Sequence, residues 1–151
     1  MISRRSVLKA VFTGGAIAGL GVMMPKVALA AWNKTAFDTD NQDTAMGALY
    51  DSAPAASAEV NLKAPDIAEN GAVVPVTVSS SMSDVKSIAV FVEGNPNPLA
   101  AQFMIPAGTK AEVSCRIRMG KTSAVTAVVE TASGLFSASK EVKVTIGGCG
   151  G

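Results

Sequence analysis

Apolar and polar side chains alternate along much of the chain from position 59 onward, and this period of two restricts the fold more than any other feature. The alternation is clearest over residues 111–119, where one face would carry the apolar side chains Val113, Cys115, Ile117 and Met119. Successive side chains of a β-strand point to opposite faces of its sheet. The pattern therefore predicts a strand that buries one face.

Further segments have strand-like patterns and are separated by turn signals rich in Gly, Pro and Asn: residues 59–63, 74–78, 88–92, 99–105, 122–130 and 136–146. About seven short strands with turns about every ten residues are typical of an immunoglobulin-like β-sandwich. Pro75 lacks a backbone donor, which favours an edge strand or the start of a strand. The single tryptophan, Trp32, lies outside these strands with no cysteine pair around it, which excludes an antibody-type domain.

The region before the strands has helical character. Residues 35–50 predict one short helix, in which Thr35 and Asp38 are spaced as in a capping box. Residues 52–57 are rich in Ser, Ala and Pro, and we interpret them as a linker between the helix and the strands. The predicted fold class is therefore all-β with a short amino-terminal helix.

The amino terminus has the three parts of an export signal. Arg4 and Arg5 begin a basic segment, residues 10–24 are apolar and rich in Gly and Ala, and Ala28 and Ala30 fit an A-x-A cleavage site. The paired arginines indicate the twin-arginine route and hence a periplasmic mature protein. Retention of this segment as a membrane anchor is the alternative, disfavoured because the apolar stretch is short and rich in glycine.

Charge and composition exclude several classes of function. Arg4, Arg5, Lys9 and Lys26 precede position 31, so the mature chain keeps 9 basic against 12 acidic residues and carries a net charge of −3. That balance, without a basic stripe, argues against nucleic-acid binding. The absence of histidine removes the usual general base and metal ligand. With two cysteines and no Cys-x-x-Cys pair, a metal or haem site is not expected.

The sequence ends in one cysteine among four glycines: Gly147, Gly148, Cys149, Gly150 and Gly151. Glycine lacks a Cβ atom, and such a segment offers little apolar surface to offset the entropy lost on ordering it. A thiol on a narrow, flexible thread is suited to entering a pocket of another protein. A frayed terminus without a function is the alternative, but an unused free cysteine would be a liability in an exported protein.

The second cysteine, Cys115, has two interpretations. It shares a face of the predicted strand with apolar side chains, which favours a small buried side chain. A disulfide with Cys149 is the alternative in an oxidising compartment, and it would require the carboxy-terminal segment to fold back. Arg116 and Arg118 point to the other face as a solvated surface or an anion contact, with the solvated surface favoured.

Segments of the chain resemble the signature blocks of SoxY, the sulfur-carrier family of the bacterial thiosulfate-oxidising (Sox) system: residues 64–76, 94–99, 115–119 and 142–151. The resemblance covers nearly all of residues 60–151, and its terminal motif is highly specific. At position 115, where the family is expected to have a small residue other than cysteine, this chain has Cys115, so a single thiol cannot be assumed. The chain is thus divided into a twin-arginine signal peptide (1–30), a helix and linker (31–57), an immunoglobulin-like SoxY domain (58–146) and a carrier arm (147–151).

The resemblance implies a carrier of covalently attached sulfur without a cofactor, rather than an enzyme. It implies that Cys149 is charged with thiosulfate by a c-type cytochrome, that a hydrolase then releases sulfate, and that a sulfur dehydrogenase oxidises the remaining sulfur. It also implies a heterodimer with a SoxZ-like subunit that lacks a signal peptide, which agrees with export of a folded complex. No nucleic-acid or membrane partner is expected for the mature protein. A structural periplasmic immunoglobulin-like module with an incidental tail is the alternative function.

Overall fold

Two β-sheets form the body of the protein in the computed structural model, which describes residues 32–145. The predicted all-β class is confirmed, since most regular structure in that range is strand. The elements in chain order are α1 (Lys34–Asp38), α2 (Gln42–Leu49), β1 (Ala55–Ala56), β2 (Val60–Lys63), β3 (Ile67–Ala68), β4 (Val74–Ser80), β5 (Val85–Val92), β6 (Leu99–Met104), β7 (Glu112–Ile117), β8 (Ser123–Thr131) and β9 (Leu135–Val144). The predicted signal peptide and residues 147–151 lie outside the described residues.

The larger sheet has the strand order β1, β9, β8, β5, β6, and β3 adds a further short pairing to β9. The smaller sheet consists of β2, β4 and β7, with β4 in the middle. The pairings are antiparallel except for those of β1 and β3, which run parallel to β9. The last strand, β9, is therefore held by β8 on one edge and by two short strands on the other.

The main core follows the period of two that the sequence carries. Val76 and Val78 of β4 belong to one buried cluster together with Ile88 and Val90 of β5. Phe91, the residue after Val90 on β5, is also fully buried, because it packs in a second cluster that includes helical residues. Burying a side chain of this size is worth about 1.5–3 kcal/mol relative to leaving it exposed, so these clusters hold the sheets together.

The amino-terminal segment contains two helices, so the single helix expected over residues 35–50 is wrong. The chain is extended at Asn41, and the side-chain Oδ1 of Asn41 accepts a hydrogen bond from the Thr44 amide at 2.9 Å. An asparagine in this geometry ends one helix and caps the next. Neither α1 nor α2 is long and apolar enough to cross a membrane.

The expected capping box at Thr35 and Asp38 is also wrong. Asn33 is the N-cap of α1, because its Oδ1 accepts a hydrogen bond from the Ala36 amide at 3.1 Å. Asp38 instead forms an ion pair with Lys34 at 3.1 Å. A carboxylate and an amine four residues apart on a helix are neighbours, so this pair replaces the predicted cap interaction.

The described part of the chain has nine strands rather than about seven. One of the additional strands, β1, lies inside residues 52–57, so the interpretation of that segment as a linker alone is wrong. Ala55 pairs with Phe136, and the Ser57 amide continues the ladder by donating to the Ser137 carbonyl at 3.0 Å. Both β1 and β3 are two residues long, too short to carry an alternating pattern.

Pro75 is the second residue of β4, so the strand-start interpretation is confirmed and the edge-strand interpretation is wrong. Its pairing explains why proline is accepted in a middle strand. Pro75 pairs with Arg116 on β7, whereas the pairing of β4 with β2 extends only as far as Thr77. The missing N–H therefore lies at a position with a pairing neighbour on one side only.

Candidate functional site

The structure describes the point from which the predicted site departs, namely the end of β9. Thr145 is the last described residue, and Cys149 follows four positions later. Four residues span at most about 14 Å even when fully extended. The Cys149 thiol is therefore restricted to the neighbourhood of this strand end, whatever conformation residues 146–151 adopt.

A short strand, β3, holds one side of this strand end. The Lys143 amide donates to the Asp66 carbonyl at 3.0 Å, and the Thr145 amide donates to the Ala68 carbonyl at 3.1 Å. The Thr145 hydroxyl donates to the same carbonyl at 3.4 Å. Backbone hydrogen bonds on this edge therefore continue to the last described residue.

Lys140 fixes β3 to the side of β9. Its Nζ donates to the Ala64 carbonyl at 2.6 Å and forms an ion pair with Asp66 at 2.9 Å. The Lys140 ammonium, by hydrogen bonding and by its charge, holds the pKa of the Asp66 carboxyl below its usual value. Because Asp66 is exposed, solvent weakens this ion pair, and its effect is local rather than a large part of the stability.

The other side of the strand end is closed by a backbone contact at Gly71. The Met119 amide donates to the Gly71 carbonyl at 2.7 Å. A Cβ atom at position 71 would lie 2.8 Å from Val144 Cγ1 and would overlap the Met119 carbonyl, so glycine is required there. The Thr122 hydroxyl accepts a hydrogen bond from the Val144 amide at 2.9 Å. We call Ala68, Gly71, Met119, Thr122 and Val144 the strand-end cluster.

Asn95 fixes the turn that leads into β8 beside this cluster. Its Nδ2 donates to the Arg118 carbonyl at 2.6 Å, and its Oδ1 accepts from the Gly120 amide at 3.1 Å. The neighbouring Gly94 is also needed for space, because a Cβ there would lie 2.7 Å from the Ser123 Cβ. One asparagine side chain thus satisfies two backbone groups of this turn.

Cys115 lies on β7 opposite Val76, with its side chain toward the main core. It has no disulfide partner among the described residues and is only half-buried, where the sequence favoured a buried side chain. Burial raises the pKa of the Cys115 thiol, so less of it is the reactive thiolate at neutral pH. The alternative disulfide with Cys149 involves a residue outside the described part of the chain. Arg116 and Arg118 are exposed, as expected for a solvated face.

Two other features bear on what the site could do. Within residues 32–145, no group of three His, Cys, Asp or Glu side chains could hold a metal ion. A groove of about 1000 Å³, whose lining includes Met82, Met104 and Lys110, lies at the end of the larger sheet where β9 begins. Val144 lies at the other end of β9, about 30 Å away. The groove and the strand-end cluster are therefore separate places on the molecule.

Comparisons with known proteins place the fold and the strand end in one family. A model of the family described as "Sulfur oxidation protein SoxY" matches residues 46–149, a range that includes the strand-end cluster and Cys149. The solved structure of the sulfur carrier protein SoxY from Chlorobium limicola f thiosulfatophilum is 44% identical, covering 69% of this chain and 96% of its own, with a TM-score of 0.62.

A second solved structure, superoxide reductase (neelaredoxin) from Ignicoccus hospitalis, is 22% identical, covering 70% of this chain and 93% of its own, with a TM-score of 0.52. At that identity the likeness concerns the fold alone. A search of curated proteins gives no match. The agreement of the family model over more than half the chain with the 44% identical structure leads to one conclusion: the chain belongs to the SoxY family of sulfur oxidation proteins.

Proposed function

We propose that this chain is a covalent carrier of sulfur intermediates in periplasmic thiosulfate oxidation, with Cys149 as the attachment site. The observation that carries the proposal is the extent of the family match, which runs from residue 46 to Cys149 itself. The 44% identical structure is that of a sulfur carrier protein, which supports a carrier rather than an enzyme. The position of Cys149, four residues beyond a firmly held strand end, agrees with this role.

The proposed reactions can be written from the chemistry of one thiol. Joining the Cys149 sulfur to the outer sulfur of thiosulfate releases the thiol proton and two electrons. The c-type cytochrome accepts the electrons. The hydrolase then catalyses attack of water on the sulfonate sulfur, which breaks its bond to the neighbouring sulfur. This step releases sulfate and a proton and leaves a persulfide on Cys149. The sulfur dehydrogenase then oxidises the outer sulfur of the persulfide to a sulfonate, with oxygen taken from water and the electrons passed to an electron acceptor. A second hydrolysis releases this sulfur as sulfate and restores the Cys149 thiol. This chain has no histidine, so the enzymes supply the acid and base groups.

The proposed carrier arm consists of Gly147, Gly148, Cys149, Gly150 and Gly151. Side chains are absent on both sides of the thiol, so this segment fits a narrow channel. The tether gives the attached sulfur a high effective concentration at an enzyme that has bound the carrier. The strand-end cluster holds the last residues of β9 in place, so each enzyme would approach the proposed arm at this end of the strand.

The proposed carrier is an immunoglobulin-like sandwich that forms a heterodimer with a SoxZ-like subunit. Support comes from β6, which ends the larger sheet and has the sequence Leu-Ala-Ala-Gln-Phe-Met, with no charged residue. An uncharged edge strand is a ready site for another chain. We propose twin-arginine export of the assembled pair to the periplasm, because residues 1–30 carry the corresponding signal.

Replacement of Cys149 tests the proposal. In Cys149→Ser, thiosulfate-dependent reduction of the c-type cytochrome should be lost, while the unfolding curve stays within error of the wild type. Cys115→Ala is the matched control, which removes the other thiol and should retain activity. Full activity in Cys149→Ser would refute the carrier function and favour a structural module with an incidental tail.

A further inference from the structure

Two exposed apolar side chains lie near the strand end. Four large apolar side chains of residues 32–145 are exposed: Trp32, Ile67, Val73 and Met104. Two of these, Ile67 and Val73, lie beside the strand-end cluster, with 57% and 47% of their surface accessible. We propose that Ile67 and Val73 form an apolar docking contact for the enzymes that act on Cys149, each presenting an apolar rim around the entrance to its reaction centre. This inference rests on the function proposed above.

The position of Ile67 follows from the pairing of β3 with β9. Ile67 pairs with Lys143, and neighbouring strands lie about 4.8 Å apart. Because side chains alternate along a strand, the next residue, Ala68, is buried while Ile67 points outward. The Ile67 side chain therefore adds little to the core but lies next to the last residues of β9.

Val73 lies on the Gly71 side of the same strand end. Gly71 approaches Val144 so closely that a Cβ would lie 2.8 Å from its Cγ1, and Val73 is two residues further along the chain. The Val73 amide donates to the Asn70 carbonyl at 3.2 Å, which fixes the turn. The following residue, Val74, is fully buried, and its packing in the core fixes the position of Val73 at the surface. Ile67 and Val73 therefore each lie within two residues of a member of the strand-end cluster, Ala68 and Gly71 respectively.

The short length of chain between Thr145 and Cys149 brings any enzyme that acts on Cys149 close to this surface. The Cys149 backbone can lie no more than about 14 Å from Thr145. An enzyme whose reacting atom lies inside a channel must bring its surface closer than that distance, and a deeper centre requires closer approach. Every enzyme that acts on Cys149 must therefore come close to the surface around Thr145, where Ile67 and Val73 offer an apolar contact.

Charge at this surface does not provide an equally general contact. Glu69, Lys121 and Lys143 are exposed here, so both signs are present. The fully buried centre of an interface is typically poor in charged residues and rich in apolar ones. The apolar pair is therefore the feature that several different enzymes could share, while the surrounding charges would distinguish one enzyme from another.

The test compares Ile67→Thr and Val73→Thr with a control at another exposed apolar residue, Trp32→Thr. Threonine keeps the β-branched shape and removes apolar surface. Trp32 is 59% accessible, its ring centroid lies 5.4 Å from that of Phe37, and it belongs neither to the strand-end cluster nor to β6. Each variant, as the mature chain co-produced with the SoxZ-like subunit, is assayed as substrate of the c-type cytochrome with thiosulfate and of the sulfate-releasing hydrolase.

We expect Ile67→Thr and Val73→Thr to raise KM for the carrier on the order of five- to tenfold with both enzymes, without a change in kcat. Trp32→Thr should leave both constants unchanged. Alkylation of Cys149 by iodoacetamide, which requires no docking, should proceed at the same rate in all variants and so shows that the arm is intact.

An unchanged KM in both variants, or an equal rise in Trp32→Thr, would overturn the docking contact. In either case the wild type would still be loaded at Cys149, so the proposed function would stand. If the wild type itself is not loaded, the proposed function fails, and the docking contact fails with it.

Discussion

Gly71 and Val144 are in direct contact, so close that a Cβ atom on residue 71 would lie 2.8 Å from Val144 Cγ1. Val144 is the last residue of β9, and Gly71 belongs to the turn before β4. The carbonyl of Gly71 also accepts the Met119 amide at 2.7 Å. A single glycine thus joins the turn before β4, the segment after β7 and the end of β9, and fixes the point from which residues 146–151 begin.

Replacement of Gly71 should therefore loosen the strand end. Gly71→Ala forces either Val144 or the Met119 backbone to move, and overpacking of this kind costs about 1–3 kcal/mol. We expect a lower melting temperature together with faster amide exchange at Val144 and Thr145.

Gly47→Ala is the matched control for that substitution. Gly47 lies inside α2, and a Cβ there would meet nothing within 4 Å. The control should raise the free energy of unfolding by about 0.5–1 kcal/mol, because alanine is the better helix former. Equal stability of Gly71→Ala and the wild type would show that the strand end tolerates a side chain at this position.

The ion pair between Lys140 and Asp66 should make the pairing of β3 with β9 sensitive to acid. Because the pKa of Asp66 is lowered in the folded protein, its contribution is present above the pKa of the unfolded chain and is lost as the pH falls through the folded value. The protection factors of the Lys143 and Thr145 amides should therefore fall on acidification, below the ordinary carboxyl pKa of about 4.

Asp66→Asn should remove most of that acid dependence. Glu112→Gln is the control, since Glu112 also has a lowered pKa, caused by Lys110, but pairs with Ser79 away from the strand end. The account is contradicted if Asp66→Asn and Glu112→Gln change the protection of the Thr145 amide equally.

Cys115 should react slowly in the folded protein. Its thiol faces the main core, and burial raises its pKa, so little thiolate is present at neutral pH. In Cys149→Ser, which leaves Cys115 alone, native protein should be alkylated much more slowly than protein unfolded in urea. Rapid labelling of the native variant would mean that the edge of β7 exposes this thiol.

The long strands were predictable because their core positions repeat in the sequence. The alternation over 111–119 identified β7, although Met119 lies beyond the end of the strand, with its amide bonded to Gly71. Strands β1 and β3 were not found, since two residues cannot establish a period. Their existence depends on β9, about eighty residues away in the chain, and such long-range pairing leaves no local signal.

The candidate site also has one part that could be predicted from the sequence and one part that could not. Cys149 could be identified from composition, because an isolated thiol among glycines is informative without a structure. The contacts that hold the strand end could not: Lys140 and Ala64 are 76 positions apart, and the requirement for glycine at position 71 comes from Val144. The predicted capping box was wrong because Asn33, two positions before Thr35, is also a favoured N-cap residue, and only the backbone geometry decides between them.

The central claim is that sulfur is attached to Cys149, and intact mass measurement tests it most directly. The proposed mature chain, residues 31–151, is incubated with thiosulfate, the c-type cytochrome and an electron acceptor. Its intact mass is then measured, and any adduct is located by peptide mapping. The account predicts a mass increase of one thiosulfate-derived group on the wild type and on Cys115→Ala, located on the peptide containing Cys149, and no increase on Cys149→Ser. An unchanged wild-type mass, or an adduct located on Cys115, would contradict it.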